Sequence, residues 1–374
     1  MEKTMNVNGS DITQQQLFFL VLQTQIGVGV LSLAFNVFNT AEQDGWISTL
    51  IAGLAIQVAI IIIWMMARRF PSSTIFDILP QLLGKWIGNV VNLGYLIYFI
   101  MTAALVLAIN DQIIKNWVLP ETPSWVISLL MTITGVYICT GSLRILARFY
   151  SFVSLLLIVL FLLTTYGLKD AEFLNLLPVG EAGGIKIITG AKEAMVSILG
   201  FELLLVIYPF VKGKSSGILK KASWANLLVT LFYTYTVVVS LAYFSPGELK
   251  LVPEPIIYML KTFEFNVLDR VDLVFLSIWE VSVATSFMIY LFIASKGLAH
   301  FFHQSEHHNK FVPWLGGLVF IASLIPGNNE LVIKAFSEYV SYLGLIFAVG
   351  LPAFLLIISY LFRKKEPEVM VNDN

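Results

Sequence analysis

The chain has 374 residues, of which 57% are hydrophobic and only 13% charged, and its formal net charge is −1 at pH 7. Soluble domains carry about 25% charged residues, and several apolar runs here reach the roughly 18 residues that a membrane-spanning helix needs. The composition therefore excludes an ordinary soluble protein and indicates an all-α integral membrane protein in a lipid bilayer. Without a basic stripe interleaved with aromatic residues, it also argues against a nucleic-acid partner.

Apolar runs separated by charged or Pro/Gly-bearing segments predict ten membrane spans. They cover residues 16–38, 45–66, 88–110, 124–140, 149–168, 185–211, 223–244, 271–298, 312–325 and 339–362. Two shorter stretches, 74–86 and 253–265, predict helices that lie at the inner and the outer membrane surface respectively.

The placement of lysine and arginine predicts that both termini face the cytoplasm, because basic residues concentrate in alternate segments between the spans. Ten spans divide into two units of five, and five is odd, so the second unit enters the membrane from the opposite side. The predicted architecture is thus a five-plus-five inverted repeat. Its parts are a cytoplasmic tail at 1–13, a first repeat at 14–168, an extracytoplasmic connector at 169–184, a second repeat at 185–362 and a cytoplasmic tail at 363–374.

Glycines interrupt the first span of each unit. Gly27, Val28 and Gly29 lie in the middle of span one, and Gly200 lies in span six. Glycine is a poor helix former, and a helix in hydrocarbon opens only where protein or a lined cavity satisfies its backbone. Interruptions at matching positions of two repeats indicate a transport-type binding site. Close helix packing through small residues is the alternative for each glycine taken alone.

The chemistry of two broken helices predicts the ligand. A helix restarting near Val30 presents N–H groups that attract a carboxylate, while carbonyl groups left free near Leu199 and Gly200 suit an ammonium group. Together they predict a site for a small L-amino acid, held mainly by the backbone. Further polar groups beside the first break are Thr24, Gln25 and Ser32.

Glu202 and Glu280 are acidic residues well inside predicted spans. An intramembrane carboxyl group is costly and suggests a function. Each could be a proton-coupling site or a gating hydrogen-bond node. The alternative is a protonated side chain bonded to a neighbouring helix.

Hydroxyl groups follow one face of span three and one face of span eight. Tyr95, Tyr98 and Thr102 are spaced by three and four residues, and Thr285, Ser286 and Tyr290 lie within about one turn of each other. Directed at a central break, these faces would form a small polar pocket. Packing with internally satisfied hydroxyl groups is the alternative for each residue.

Other chemistry finds little support. The spacing of His300, His303, His307 and His308 could fit a metal, but a polar loop without a partner cysteine favours a solvated segment. The pair Gly27 and Gly29 lacks the preceding strand and the third glycine of a dinucleotide fingerprint. No nucleophile–base constellation is present, so the sequence predicts no enzyme, no metal and no cofactor.

Several short motifs resemble the spore permease family of the amino acid–polyamine–organocation superfamily, and more narrowly the B subunits of endospore germinant receptors. They are Gly27–Ser32, Asp44-Gly45-Trp46-Ile47, Leu83–Gly88, Thr122-Pro123 and Leu199-Gly200-Phe201-Glu202. The resemblance implies a LeuT-like inverted repeat in the inner membrane of a dormant spore, with an A subunit and a lipoprotein C subunit as partners. It also implies pocket residues at Gly27, Gly29, Tyr98, Thr102, Leu199, Gly200, Ser286 and Tyr290.

The leading hypothesis is a nutrient sensor that binds an L-amino acid germinant and triggers ion release. The alternatives are a proton-coupled amino acid transporter, with Glu202 or Glu280 as the coupling site, and a membrane anchor that binds no ligand. A Gly200→Trp variant is expected to lose the ligand response while still inserting into the membrane.

Overall fold

The computed structural model describes residues 11–263, 270–327 and 329–366, and every regular element in these ranges is helical. The first helices are α1 (Gln14–Gln25), α2 (Gly29–Ala41), α3 (Gly45–Arg69), α4 (Ile75–Leu83), α5 (Lys85–Trp117), α6 (Ser124–Cys139), α7 (Leu143–Val153), α8 (Leu156–Thr165) and α9 (Gly184–Ser197). They are followed by α10 (Leu204–Ile207), α11 (Ser215–Tyr243), α12 (Pro246–Leu249), α13 (Pro255–Lys261), α14 (Val271–Phe301), α15 (Val312–Leu324), α16 (Glu330–Gly344) and α17 (Leu351–Leu361).

Six helical segments in the described ranges are long and apolar enough to cross a membrane, so the protein is a multi-pass membrane protein. They are Gly29–Arg69, Lys85–Trp117, Leu143–Asp170, Ser215–Tyr243, Val271–Phe301 and Glu330–Leu361. Gly184–Ser197 and Phe201–Phe210 form a further span if the bent pair counts as one, and Ser124–Cys139 and Val312–Leu324 are shorter apolar helices. Helix thus occupies every predicted span, and six or seven segments of the described ranges have the length and composition of a crossing.

Both predicted interruptions coincide with helix ends. The helix α1 ends at Gln25 and α2 begins at Gly29. At the second position α9 ends at Ser197, and the chain continues as the helical segment Phe201–Phe210 at an angle of 54°. Gly200 lies in this gap with φ of +133°, a conformation that L side chains rarely adopt.

The helices that end at these two gaps pack against several long helices. α1 lies against α11, α7 and α14, while α2 and α3 pack on α9. α3 and α11 approach so closely that a Cβ atom on Gly53 would lie 2.2 Å from the Thr230 side chain. The close packing of these long helices holds the ends of the broken ones in fixed positions.

Two short helices outside the long spans are present where the sequence predicts them, with shorter bounds. The predicted stretch 74–86 forms α4 and ends at Gly84, whose φ of +83° stops the helix. The residues from Lys85 onward therefore begin α5 instead of ending a surface helix. The predicted stretch 253–265 forms α13, and residues 264 and 265 lie outside the described ranges.

The last predicted span begins earlier than hydropathy suggests. The prediction of 339–362 misses the first turns of α16, which starts at Glu330 after the Asn329 side chain caps it by accepting from Leu331 N at 3.0 Å. Lys334 and Glu338 lower the local hydropathy and conceal this part of the helix. A π-helical segment, Leu345–Gly350, joins α16 to α17.

The structure describes part of each predicted tail. Of the predicted tail 1–13, residues 1–10 lie outside the described ranges, as do residues 367–374 of the predicted tail 363–374. Ile12 forms a parallel β-bridge with Val211, where Ile12 N donates to Phe210 O at 2.9 Å and Lys212 N donates to Ile12 O at 2.9 Å. This contact, called the terminal bridge below, joins the segment before α1 to the segment after α10.

The four clustered histidines diverge in the structure. His300 Nδ1 lies 3.3 Å from Asp77 Oδ1, whereas His308 is buried, with its ring edge-on to Phe292 and Nε2 3.3 Å from Gly141 O. Within the described ranges no group of three or more His, Cys, Asp or Glu side chains could hold a metal ion.

His308 is expected to make stability depend on pH. Burial, together with the positive charge of Lys296, lowers the pKa of His308 to about 4, below the 6.5 of an unfolded histidine. His308 therefore binds a proton more readily in the unfolded chain than in the folded one. Its contribution to the free energy of unfolding falls by about 2 kcal/mol when the pH is lowered from 8 to 5. Thermal unfolding of His308→Gln beside the parent chain across this range isolates the effect, and equal pH profiles would contradict it.

Candidate functional site

A cleft of about 410 Å³ opens at the junction of the two interrupted helices. Its walls come from the first break and α2, from α5, from α9, from α14 and from α16. The predicted site residues in its lining are Gly27, Val28, Gly29, Ser32, Thr102, Leu199, Ser286 and Tyr290. The structure therefore brings together residues far apart in the chain, from Gly27 to Tyr290, that the sequence predicts as one site.

The other predicted site residues lie outside the cleft lining. Tyr98, Gly200 and Glu202 are buried behind the wall, and Thr285 is buried where α14 meets α1. The Thr285 hydroxyl donates to Ser282 O at 2.7 Å, and its carbonyl accepts from the Tyr150 hydroxyl. Thr285 therefore has a packing role in this arrangement.

Glu202 is a fully buried carboxyl group with three hydrogen-bond donors. Its Oε1 accepts from the Tyr98 hydroxyl at 2.8 Å and from the Tyr290 hydroxyl at 2.6 Å, and its Oε2 accepts from Gly200 N at 2.8 Å. Because Tyr290 also lines the cleft, it connects the cleft directly to the Glu202 carboxyl group. Glu202 thus joins α5, α14 and the second break at one point.

Glu280 is half-buried on α14 and makes a different arrangement. Its Oε1 accepts from Asn110 Nδ2 at 3.1 Å, whereas Oε2 has no hydrogen-bond partner among the described residues. It does not line the cleft. The two acidic residues are therefore not equivalent, since only Glu202 is satisfied at both oxygens.

Gly27 and Gly29 permit close contacts across the first break. A Cβ atom on Gly27 would lie 2.6 Å from Ser286 Oγ, and one on Gly29 would lie 2.8 Å from Ser197 Cα. Ser286 Oγ in turn donates to Thr24 O at 3.2 Å. The glycines therefore let the first break approach both α14 and the end of α9.

Gly200 has a structural role that its sequence position does not reveal. A Cβ atom there would lie 2.8 Å from both the carbonyl oxygen and the Cγ2 atom of Thr24, on backbone that already has positive φ. A Gly200→Trp substitution would therefore disturb the packing of the two breaks. It is a poor test of ligand binding, because Gly200 does not line the cleft.

Tyr233 connects the two breaks and is absent from the predicted site. This fully buried side chain on α11 donates to Gln25 O at 3.0 Å and lies 3.2 Å from Ser197 O, the last residues of α1 and α9. Nothing in the local sequence marks it, since its two partners are 208 and 36 residues away. Its hydroxyl proton is shared between the carbonyl groups at the ends of both helices.

Removing the Tyr233 hydroxyl is expected to destabilise the junction. Tyr233→Phe leaves the buried Gln25 carbonyl group and the part-buried Ser197 carbonyl group without this donor and should lower the free energy of unfolding by about 1–3 kcal/mol. Tyr235→Phe on the same helix is the matched control, because it removes a hydroxyl that bonds only the part-buried Thr165 Oγ1 at 2.8 Å. Thermal unfolding in detergent compares the two, and equal losses would show that Tyr233 has no special role.

The rim of the cleft carries both signs of charge. Its lining includes Lys192 and Glu193 on α9 and Lys334 and Glu338 on α16. The Lys192 ammonium group also lies 4.6 Å from the ring centroid of Tyr342. The apolar part of the lining comes from Leu105, Val106, Ile109, Val196 and Val340. A lining with charges of both signs and apolar side chains suits a small ligand that carries both charges and an apolar group.

Solved structures show the class of fold. The chain is similar to MhsT in complex with L-phenylalanine, with a TM-score of 0.70 at 14% identity over 95% of this chain and 90% of that one. It is equally similar to a Na⁺-coupled sialic acid symporter in a substrate-bound outward-open state, with a TM-score of 0.70 at 10% identity over 93% of this chain and 79% of that one. The protein therefore has the fold of membrane transporters of the LeuT type.

Sequence relatives show the family. The model of the Spore_permease family, described as "Spore germination protein", matches residues 11–332. Spore germination protein GerQB of Bacillus cereus is 30% identical over 347 residues, covering 92% of this chain and 95% of that one. Spore germination protein YndE of Bacillus subtilis is 27% identical over 354 residues, covering 94% and 96%. The chain belongs to the spore permease family, and the resemblance of its motifs to that family is confirmed.

Proposed function

We propose that this protein is the nutrient-sensing membrane subunit of a spore germinant receptor, which binds a small L-amino acid in the cleft and thereby triggers ion release. The observation that carries the proposal is the position of the cleft, between the ends of two interrupted helices in a member of a spore germination family. A fold neighbour was solved with L-phenylalanine, which supports an amino acid as the ligand. The proposal involves no catalytic step.

The proposed topology is a five-plus-five inverted repeat with ten crossings. The first repeat, 14–168, would contain α1 with α2, α3, α5, α6, and α7 with α8. The second repeat, 185–362, would contain α9 with Phe201–Phe210, α11, α14, α15, and α16 with α17. Each break then lies in the first crossing of its repeat, which supports this division. Residues 169–184 would be the outer connector, with both tails in the cytoplasm.

The proposed location is the inner membrane of the spore, with an A subunit and a lipoprotein C subunit as partners. Membership of the germination family supports this assignment. A ligand biases such a complex only by binding one conformation more tightly than another. The cleft, which contacts both repeats at once, is a suitable place for that difference in affinity.

Ligand binding is tested by thermal unfolding of the detergent-purified full chain with each of the twenty L-amino acids over a range of concentrations. A ligand of the folded state raises stability by RT ln(1 + [L]/Kd), so a true ligand gives a shift that grows with its concentration. A folded chain that responds to no amino acid would refute the proposed ligand and favour the role of a membrane anchor.

One observation favours the alternative, a proton-coupled amino acid transporter. Glu280 has an oxygen without a hydrogen-bond partner among the described residues, at a half-buried position in a spanning helix, and such carboxyl groups mark proton pathways in membranes. Uptake of a labelled amino acid into proteoliposomes under a pH gradient separates the two functions. Binding without uptake supports the receptor, whereas uptake lost in Glu280→Gln supports the transporter.

A further inference from the structure

We propose that the side-chain oxygen of Gln25 accepts a hydrogen bond from the ammonium group of the ligand and so selects for a primary amine. This inference rests on the proposed amino acid site and names one side chain in it that recognises the amine. Gln25 is the last residue of α1, lines the cleft beside the first break and is fully buried.

The orientation of the Gln25 amide follows from a chain of hydrogen bonds that begins at a backbone carbonyl. Gly53 O can only accept, so Asn226 must present its Nδ2 there, at 3.1 Å. Asn226 Nδ2 also lies 3.3 Å from Gln57 Oε1, which supports the same orientation. The Asn226 oxygen is therefore directed away from α3 and towards Gln25.

The same argument fixes the next amide. Gln25 Nε2 donates to Asn226 Oδ1 at 3.3 Å and to Ile198 O, a second group that can only accept, at 3.2 Å. Both contacts require nitrogen at this position, so a flipped amide would place oxygen against two acceptors. Gly53 O, Asn226 and Ile198 O together thus determine which end of the Gln25 side chain is the oxygen.

The Gln25 oxygen is left without a donor. Among residues 11–263, 270–327 and 329–366 it has no hydrogen-bond partner, although its atom surface is essentially buried. A buried acceptor without a donor is unfavourable, and because Gln25 lines the cleft, a bound ligand could supply that donor. Gln25 is fully buried whereas Glu193, Lys334 and Glu338 in the same lining are exposed, so a compact donor such as an ammonium group suits this position.

Nearby backbone groups suit the same donor. Ser197 and Leu199 line the cleft at the end of α9, and Ser197 O shares the single Tyr233 proton with Gln25 O. A hydroxyl has one proton to donate, so one of these two carbonyl groups retains capacity for a further donor. An ammonium group carries three N–H donors, enough for Gln25 Oε1 and a carbonyl at the junction.

The test compares an amino acid with its 2-hydroxy acid, which keeps the carboxylate and the side chain but replaces the ammonium group by a hydroxyl. The amino acid is the one that gives the largest thermal shift in the screen of twenty, and Kd is measured for both compounds. In the parent chain we expect at least a tenfold preference for the amino acid. In Gln25→Met, which keeps the length but removes the oxygen, the preference should fall severalfold, because only the carbonyl group at the junction then accepts from the ammonium group.

Two further variants control the result. Gln57→Met changes the same hydrogen-bond chain away from the cleft, and the preference should persist because Gly53 O still orients Asn226. Gln25→Leu removes the same oxygen with a different side-chain shape and should lower the preference in the same way, which carries the test if Gln25→Met does not fold.

The outcomes separate this inference from the proposed function. If no amino acid binds the folded parent chain, the proposed ligand and this inference both fail. If amino acids bind but Gln25→Met and Gln25→Leu retain the full preference, only the role of Gln25 is overturned.

Discussion

Glu202→Leu is expected to be the most destabilising single substitution at the junction, lowering the free energy of unfolding by at least about 3 kcal/mol. It leaves the hydroxyls of Tyr98 and Tyr290 and the amide of Gly200 without their acceptor, and each buried donor without a partner costs about 1–3 kcal/mol. Thermal unfolding of the purified chain, with the yield of folded monomer, measures the loss.

A compensating variant makes this prediction specific. Adding Tyr98→Phe and Tyr290→Phe to Glu202→Leu removes two of the three orphaned donors and should recover part of the lost stability, because replacing both partners of a hydrogen bond is nearly neutral. If Glu202→Leu is as stable as the parent chain, or if the triple variant is less stable than the single one, the carboxyl group does not hold the junction together.

Ser337→Trp is expected to weaken amino acid binding at least a hundredfold while leaving the chain folded. Ser337 is a half-buried residue of α16 that lines the cleft, so an indole there occupies the space that a ligand needs without displacing a packed side chain. A hundredfold loss corresponds to about 2.7 kcal/mol of binding free energy. Concentration-dependent thermal shifts give Kd for both chains.

Ala335→Trp is the matched control for this substitution. Ala335 lies two residues earlier on the same helix, is exposed and does not line the cleft, so the same enlargement should leave Kd unchanged. Equal Kd values in Ser337→Trp and in the parent chain would show that the ligand binds elsewhere. A loss in both variants would indicate that α16 is disturbed generally, and the cleft would then be tested through Gln25.

Much of the architecture follows from local sequence. Long apolar runs predict the helices because burial in hydrocarbon requires every backbone group to be paired within the helix. The glycines of the two breaks can also be recognised from the sequence, because glycine weakens a helix and here it interrupts long apolar runs. Helical spacing and the family resemblance both predict Thr102, Ser286 and Tyr290 as site residues, and all three line the cleft.

The residues that hold the site together could not be predicted in this way. Tyr233 and Asn226 act on α1 from about 200 residues away, and no periodic pattern encodes which helices become neighbours. The sequence does not predict that the first half of α16 lines the cleft, because the charged residues Lys334 and Glu338 make this stretch resemble a loop. Thr285 is predicted in the same hydroxyl face but lies outside the cleft lining, because spacing gives the side of a helix but not the helix that covers it.

The terminal bridge between Ile12 and Val211 and the cleft lie at opposite ends of α1. It lies before the first turn of α1, whereas the cleft lies beyond the last, about 18 Å along a helix of 12 residues. A ligand in the proposed site would therefore contact one end of α1, while the terminal bridge ties the other end of the same helix to the segment after α10.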